Sequence, residues 1–228
     1  MKNYKRILSL ALALILCLGL TACGDKSPAR KSSTRKASKH EEPVSASAEE
    51  MGEATPAPDE EVDIIPSSED DFDISLGVVM GYNGPGGHVV IPDGVTEIGY
   101  AAFRGCDQIT SVTIPEGVTE IGESAFNSCW NLTSITIPDS VKEIGHEAFL
   151  DCISLTEITI PGKKLQNVGA EAFSGCTSLT RVVMPNFVNY INQNAFADCP
   201  NLTLYGAEGG NLEFYAEDNN IPFVAIEY

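Results

Sequence analysis

Apolar residues recur at a fixed interval through the second half of the 228-residue chain. Apolar residues followed by proline stand at Ile91, Ile114, Ile137, Ile160 and Met184. Phenylalanines keep the same step at Phe103, Phe126, Phe149, Phe173 and Phe196, and cysteines at Cys106, Cys129, Cys152, Cys176 and Cys199. The apolar–proline pairs are 23, 23, 23 and 24 residues apart. A period of this length predicts a stack of five structural units, each of which needs its neighbours to bury its apolar side.

Each unit is predicted to contain a strand, a bend, a short second extended segment and a turn. In the third unit Ile135 and Ile137 alternate with polar residues, which is typical of a strand with one buried face. The proline after Ile137 ends the strand because it has no N–H to donate. Val141 and Ile144 then mark the second segment, and "HEAF" after them predicts a single helical turn.

A small residue follows the second segment in every unit. It is Gly99, Gly122, Gly145, Gly169 and, in the last unit, Asn192. Glycine and asparagine are the residues that best tolerate a left-handed backbone. The column therefore predicts a positive φ at this position.

Both ends of such a stack need a cover, because each exposes apolar core. Two apolar stretches around "NGPGG" in "FDISLGVVMGYNGPGGHVVIP" predict a capping hairpin over residues 72–87, before repeats that run from 88 to 203. Residues 204–228 abandon the repeat and predict a second cap with a short helix and a final strand. The residues expected to close the last unit are Leu212, Phe214, Tyr215 and Phe223.

Residues 1–22 have a positive start followed by an apolar run that fits an export signal better than a membrane-spanning helix. The "LTAC" that ends at Cys23 resembles the lipobox of bacterial lipoproteins, in which the cysteine receives diacylglycerol. This predicts an exported protein anchored by Cys23 on the outer face of the cytoplasmic membrane. The alternative is an ordinary signal peptide in which Cys23 is incidental.

Residues 23–71 predict a disordered charged tether, because their composition buries too little apolar surface to fold. Six cations and one anion lie between residues 25 and 39, and thirteen acids without Lys or Arg lie between residues 41 and 73. The basic block suits anionic lipid or wall polymer, and the alternative is a simple solvated spacer. The net charge of −18 argues against a nucleic-acid partner.

The repeat "LTSITIPDSVKEIGHEAFLDC" resembles the BspA-like class of leucine-rich repeats, and the resemblance covers residues 87–228. It implies a right-handed solenoid with a parallel sheet on one face, mainly β with short helical turns. It also implies an exported surface protein that acts in adhesion or protein binding. The chain departs from the pattern at "PGKKLQNVG", which is one residue longer, and at "VNYINQNAF".

The repeat columns predict neither catalysis nor a metal site nor a cofactor. One cysteine per unit lacks the close pairing of metal ligands and favours a column of small buried residues, and an odd number leaves at least one thiol free. Glu97, Glu120 and Glu143 line up as well, and a solvated surface is favoured over a calcium site. No nucleophile stands beside a base in the sequence pattern.

Two surfaces are candidates for binding. The outward strand positions form a polar sheet face made of Ser111, Thr113, Ser134, Thr136, Glu157, Thr159 and Arg181, which is equally consistent with an ordinary solvated face. The outward position beside Arg181 is Val183. Trp130, Leu150 and Ile153 are bulky residues where the pattern leaves polar ones, and they predict an exposed apolar patch. The alternative is that these three side chains lie flat over neighbouring coils.

These observations together predict a monomeric surface module that binds a protein or glycan without covalent chemistry. Its contact with the membrane is the diacylglycerol on Cys23. The competing hypothesis is a passive scaffold or spacer of the cell envelope with no specific ligand, and an enzyme is the third.

Overall fold

The computed structural model of the chain describes residues 67–161, 164–184 and 188–227. All of these belong to one compact unit. The predicted signal, Cys23 and the predicted tether up to residue 66 lie outside the described residues.

The predicted tether extends to residue 71, and this boundary is wrong by a few residues. A short 3-10 helix occupies Glu69–Asp71, with Ser68 and Asp71 capping each other across its first turn. The Ser67 hydroxyl also accepts a hydrogen bond from the Val90 N–H at 3.2 Å. Segment 67–71 is therefore part of the folded unit, since its polar groups pair locally and with the first coil.

Two columns of short strands wind through the unit. The strands are β1 (Phe72–Ser75), β2 (Val78–Tyr82), β3 (Gly87–Val90), β4 (Glu97–Ile98), β5 (Ile109–Thr113), β6 (Glu120–Ile121), β7 (Ser134–Thr136), β8 (Glu143–Ile144), β9 (Glu157–Thr159), β10 (Asn167–Val168), β11 (Arg181–Val183), β12 (Tyr190–Ile191), β13 (Thr203–Gly206) and β14 (Phe223–Ala225). Among the described residues, one α-helix, α1, spans Asn211–Asp218. The chain therefore forms the β-solenoid that its repeat predicts, with very little helix in the part that the structure describes.

The first column is a seven-stranded sheet in the order β1-β2-β4-β6-β8-β10-β12. Every pair after the antiparallel β1–β2 hairpin is parallel, and Ile98 pairs with Ile121, which pairs with Ile144. The repeat by itself predicts five turns. Strand β2 pairs with β4 in the same parallel sense, so the N-terminal hairpin supplies a sixth.

The second column consists of two parallel sheets, β3-β5-β7 and β9-β11-β13-β14. At the junction the Thr156 N–H lies 3.4 Å from the Thr133 carbonyl oxygen. The equivalent contact of Thr133 with Thr110 is 2.9 Å. The column is thus weakest between the third and fourth repeats of the sequence.

The core is a continuous stack of phenylalanine rings, one from each repeat. Phe103, Phe126, Phe149, Phe173 and Phe196 lie with successive ring centroids 4.8, 5.2, 5.1 and 5.0 Å apart and nearly parallel planes. Tyr82 covers the first ring at 5.4 Å, and Tyr215 meets the last edge-on at 5.9 Å. Tyrosines from the two caps therefore close both ends of the stack.

The cysteine column lies beside the rings, and its thiols donate hydrogen bonds to the backbone carbonyls of the stacked phenylalanines. The thiol of Cys129 donates to the Phe103 carbonyl at 3.0 Å, and that of Cys152 to the Phe126 carbonyl at 3.1 Å. Cys176 and Cys199 repeat the contact in the next coils. These four thiols are free, and burial raises the pKa of Cys129 to about 12 and that of Cys199 to about 11. These four cysteines are structural, since their thiols stay protonated and therefore poorly nucleophilic.

The predicted helical turn is a set of tight turns instead. Its N–H groups bond alternately within the coil and to the next coil: Leu150 donates to the Glu147 carbonyl at 3.1 Å, and Phe149 to the Ala172 carbonyl at 2.7 Å. In an α-helix, every N–H group after the first turn donates to a carbonyl group of the same helix. Carbonyl groups of the next coil accept hydrogen bonds from these N–H groups, because the two coils lie within hydrogen-bonding distance along the whole turn.

The expected left-handed backbone at the glycine column is also wrong. A Cβ on Gly122 would lie 2.7 Å from the Ile98 carbonyl oxygen, and one on Gly145 would lie 2.7 Å from the Glu123 nitrogen. Close approach of the neighbouring coil therefore selects glycine here. In the repeats, positive φ values occur instead two residues after the glycine and just before the cysteine. The first set is Ala101, Ser124, Glu147 and Glu171, and the second is Gly105, Ser128, Asp151, Gly175 and Asp198.

The N-terminal hairpin is displaced from its predicted place. Its turn is at Leu76-Gly77, where both residues have positive φ, between β1 and β2. The "NGPGG" segment instead carries the chain from β2 to β3, which lie in different sheets. Alternating apolar residues flank both turns, so the sequence pattern does not distinguish them.

The C-terminal cap consists of α1 and β14. Leu212 and Tyr215 of α1 are buried, and Phe223 on β14 is half-buried. Phe214, expected to help close the last unit, is 55% exposed. Its ring therefore stays largely in solvent and does not close the last unit.

The acidic column runs along the surface of the first sheet. Glu97 pairs with Glu120, which pairs with Glu143 in the parallel register. Partial burial raises the pKa of Glu120, and the like charges of Glu97 and Glu143 raise it further. The charged column therefore opposes folding at neutral pH.

We expect Phe149→Ala to lower the free energy of unfolding by about 3–5 kcal/mol, because it removes a ring from the middle of the stack. Urea unfolding of the purified chain measures the loss. Phe214→Ala is the control, expected to stay within about 0.5 kcal/mol because its ring is exposed. Equal losses from the two variants would contradict the role of the stack.

We expect Glu120→Gln to raise the free energy of unfolding at neutral pH by about 0.5 kcal/mol, the scale of neighbouring like charges on a sheet. The pKa of Glu120 is higher in the folded than in the unfolded state. The stability gained by the variant is therefore absent below the unfolded-state pKa and complete above the folded-state pKa. Urea unfolding at neutral and at acidic pH tests this, with Glu208→Gln as control. A gain that persists at acidic pH would show that charge is not its cause.

Candidate functional site

The seven residues of the predicted sheet face all lie on strands of the second column. Ser134, Thr136, Glu157 and Thr159 are exposed, and Ser111, Thr113 and Arg181 are half-buried. Their strands are β5, β7, β9 and β11. The structure therefore places these residues on one surface that runs across the coils.

Both ends of this face are engaged within the chain. The His88 ring meets the Ser111 hydroxyl at 2.7 Å and the Thr113 hydroxyl at 3.4 Å. At the other end the Arg181 guanidinium lies 4.8 Å from the centre of the Tyr205 ring. The unengaged part of the face is its middle, on β7 and β9.

Val183 keeps the outward register expected beside Arg181, since it pairs with the exposed Thr159, but it is covered. Its side chain is 6% exposed. In the parallel register it pairs with Tyr205 on β13, a residue that the repeat pattern did not assign to the face. The non-repetitive cap therefore covers the end of the sheet face.

The three residues of the predicted apolar patch differ in exposure. Trp130 is 51% exposed and Ile153 is 43% exposed, whereas Leu150 is half-buried. Trp130 and Ile153 each follow the column cysteine of adjacent repeats, so they are neighbours across one coil spacing. Such exposure shows that the coils leave much of both side chains in solvent.

The backbone beneath the patch is held firmly. The Asn131 side-chain amide donates to the Asp107 carbonyl at 2.7 Å, and the Ser128 N–H donates to the Leu150 carbonyl at 2.8 Å. Each bond joins the Trp130 turn to an adjacent coil, one on each side. Trp130 therefore projects from a fixed turn.

A cleft that the sequence patterns did not reveal lies between β12 and α1. Its volume is about 630 Å³, and it is lined by Asn189, Tyr190, Ile191, Gln193, Asn211, Phe214, Tyr215, Asp218 and Asn219. The acidic column ends at Asn167, and Tyr190 takes its register position in the next coil, which is a sequence signal of the cleft. The repeat pattern could not predict this cleft, because it does not specify where α1 packs.

Tyr215 forms the floor of this cleft and ties α1 to the last coil. Its hydroxyl donates to the Gln193 carbonyl at 3.2 Å and accepts from the Phe196 N–H at 3.3 Å. Burial raises the pKa of this tyrosine, and the Phe196 hydrogen bond lowers it by less. The hydroxyl is therefore neutral and serves as a structural contact.

The described residues hold no group of three or more His, Cys, Asp or Glu side chains arranged to bind a metal ion. Among these residues, no helix combines the length and the apolar character needed to cross a membrane. The described residues offer three candidate surfaces, which are a polar sheet face, an apolar patch and a cleft.

The model of the BspA type leucine rich repeat region matches residues 83–203 in six copies. No curated protein sequence matches the chain. Among solved structures, a leucine-rich repeat protein of T. pallidum is 37% identical with a TM-score of 0.58, over 60% of this chain and 70% of that one.

Two further structures are similar over part of their length. A leucine-rich cell surface protein of Faecalibacterium prausnitzii is 31% identical, with a TM-score of 0.55 over 61% of this chain and 37% of that one. The pneumococcal vaccine antigen PcpA is 16% identical, with a TM-score of 0.54 over 69% and 46%, and shares the fold alone. With the family model covering more than half of its length, and with six coils in register, the chain belongs to the BspA-type leucine-rich repeat family.

Proposed function

We propose that the chain is an exported, lipid-anchored surface module that binds a protein or glycan partner through its solenoid. The anchor is the diacylglycerol on Cys23 of the "LTAC" segment, which follows an apolar run with a basic start. Two or more acyl chains hold a protein stably on a bilayer, since each buried methylene contributes about 0.8 kcal/mol. The cell-surface description of the Faecalibacterium relative agrees with this location.

The observation that carries the binding proposal is the exposure of Trp130 and Ile153 on adjacent coils. Leu150 adds apolar surface at their border. Tryptophan is enriched among residues that dominate protein interfaces, and its rigid ring loses little entropy on binding. A contiguous apolar surface on a strongly acidic chain favours a protein partner at this patch.

The rival function is a passive envelope scaffold. A scaffold needs only coil stacking and a tether, and the apolar patch would then have no use. The middle of the sheet face, around Thr136, is a second candidate surface because its side chains are exposed. The experiments below separate these alternatives.

We expect Cys23→Ser to move the protein from the membrane fraction to the soluble fraction of producing cells, because the acyl acceptor is lost. Fractionation with metabolic lipid labelling measures it. Cys17→Ser, inside the apolar run, is the matched control and should leave anchoring intact. Continued lipid labelling of the Cys23→Ser protein would refute the anchor.

We expect a photo-crosslinking amino acid at Asp151, beside the patch, to give a discrete adduct in cells carrying the full chain. Trp130→Ser combined with Ile153→Ser should reduce its yield about tenfold, because the apolar contact is lost. Both side chains are exposed, so the unfolding midpoint should not change.

Met80→Ser, an exposed apolar residue on another surface, is the control and should leave the adduct unchanged. A crosslinker at Thr136 tests the sheet face in the same cells. An undiminished adduct in the double variant would contradict the patch, and absence of any discrete adduct at either position would support the scaffold.

A further inference from the structure

The cleft between the last coil and the cap helix is built unlike the rest of the surface. Strand β12 and the turn after it form one wall, α1 forms the other, and Tyr215 closes the floor. Its volume of about 630 Å³ lies within the range of sites for small ligands. The cleft forms where the cap helix lies beside the last coil.

Two aromatic rings line the cleft and remain largely in solvent. Tyr190 is 57% exposed and Phe214 is 55% exposed. Tyr190 occupies the register position that Glu97, Glu120 and Glu143 hold in earlier coils. The acidic column ends at Asn167 in the coil before, and Tyr190 then holds this register position at the cleft. The cap contributes a second ring from the opposite wall.

Polar side chains surround these rings, and several have unused hydrogen-bonding capacity. In the described part of the chain, the side chains of Asn189, Gln193 and Asp218 make no hydrogen bond, and all three are exposed. Asn211 is held differently. Its side-chain amide donates to the Val188 and Asn189 carbonyls at 2.8 and 3.2 Å, which leaves its oxygen as an acceptor.

The walls of the cleft are held in place by the contacts beneath them. The Asn211 bonds join the start of α1 to the segment before β12, and the Tyr215 hydroxyl joins the helix to the Gln193 carbonyl. Asn219 donates to the Tyr215 carbonyl at 2.8 Å and closes the end of the helix. The backbone of both walls is therefore held without a ligand, which lowers the entropy cost of binding.

This combination of groups matches the chemistry of a sugar. A saccharide ring presents apolar C–H faces, which pack on aromatic rings, and hydroxyl edges, which pair with amides and carboxylates. The lining includes Asp218 and no Lys, Arg or His, so an anionic sugar would meet an unfavourable field. A quaternary ammonium would use the rings and the carboxylate but leave the amides without partners.

We propose that the cleft between β12 and α1 binds a neutral saccharide of one or two rings, with Tyr190 and Phe214 as its apolar platforms. Asn189, Gln193 and Asp218 pair with the hydroxyl groups. The site concerns a different surface from the Trp130 patch. It does not depend on the proposed protein contact.

Binding of lactose, maltose and N,N′-diacetylchitobiose to the purified full chain tests the proposal by saturation-transfer NMR and calorimetry. Choline and N-acetylneuraminic acid are the cationic and anionic comparisons. We expect saturable binding of at least one neutral disaccharide and weaker or no binding of the two charged probes. Tighter binding of choline, or no saturable binding of any neutral sugar, would overturn the proposal.

The variants then locate the site. Tyr190→Ala and Phe214→Ala should each weaken sugar binding about tenfold, because each removes an aromatic platform. Tyr190→Phe should retain binding, since it keeps the ring. Tyr100→Ala, an exposed tyrosine on an earlier coil, should change nothing.

Unfolding midpoints report whether each variant folds, and the exposure of these residues predicts unchanged values. Unaltered sugar affinity in Phe214→Ala would refute the site. The Trp130→Ser, Ile153→Ser double variant separates this result from the proposed function. It should bind sugar normally and lose only the crosslinked adduct, so either proposal can fail without the other.

Discussion

Parallel stacking of the backbone at a spacing near 5 Å is the constraint on which the rest of the structure depends. Phenylalanine rings at 4.8–5.2 Å, cysteine thiols on the carbonyls of the preceding coil and threonine hydroxyls on the carbonyls of neighbouring threonines all follow that spacing. The same residue type recurs along each core column, because every coil makes the same contacts with its neighbours. Stability in such a stack is mainly a sum over nearest neighbours.

The same constraint governs what the surface can do. A surface residue that recurs with the repeat also forms a column. Glu97, Glu120 and Glu143 form such a column, and their like charges repel one another. Distinct chemistry appears only where a column is broken. Trp130 and Ile153 break one column, and Asn167 followed by Tyr190 ends the acidic one. The candidate binding surfaces of this chain are therefore the interruptions of its repeat.

Prediction from sequence succeeded where contacts are periodic and failed where they are not. The β-solenoid, the burial of Phe126 and Cys129 and the exposure of Trp130 agree with the columns. The glycine column was identified correctly as special but given the wrong cause, since the approach of the neighbouring coil is invisible in one repeat. The hairpin turn and Phe214 were misplaced because both belong to caps, where no neighbouring copy sets the register.

The sequence by itself determined the length of a coil, its register and the residues that form its core, because a period of 23 residues allows one in-register stack. Tertiary structure alone decided how the ends close and which side chains meet there. Helix α1 folds back against the last coil and brings Phe214 to the same cleft as Tyr190, 24 residues earlier in the chain. The sequence predicted that Leu212 and Tyr215 close the last unit, and both are buried there. It did not predict that Phe214 would line a cleft with Tyr190, because no repeat specifies how the helix lies on the last coil.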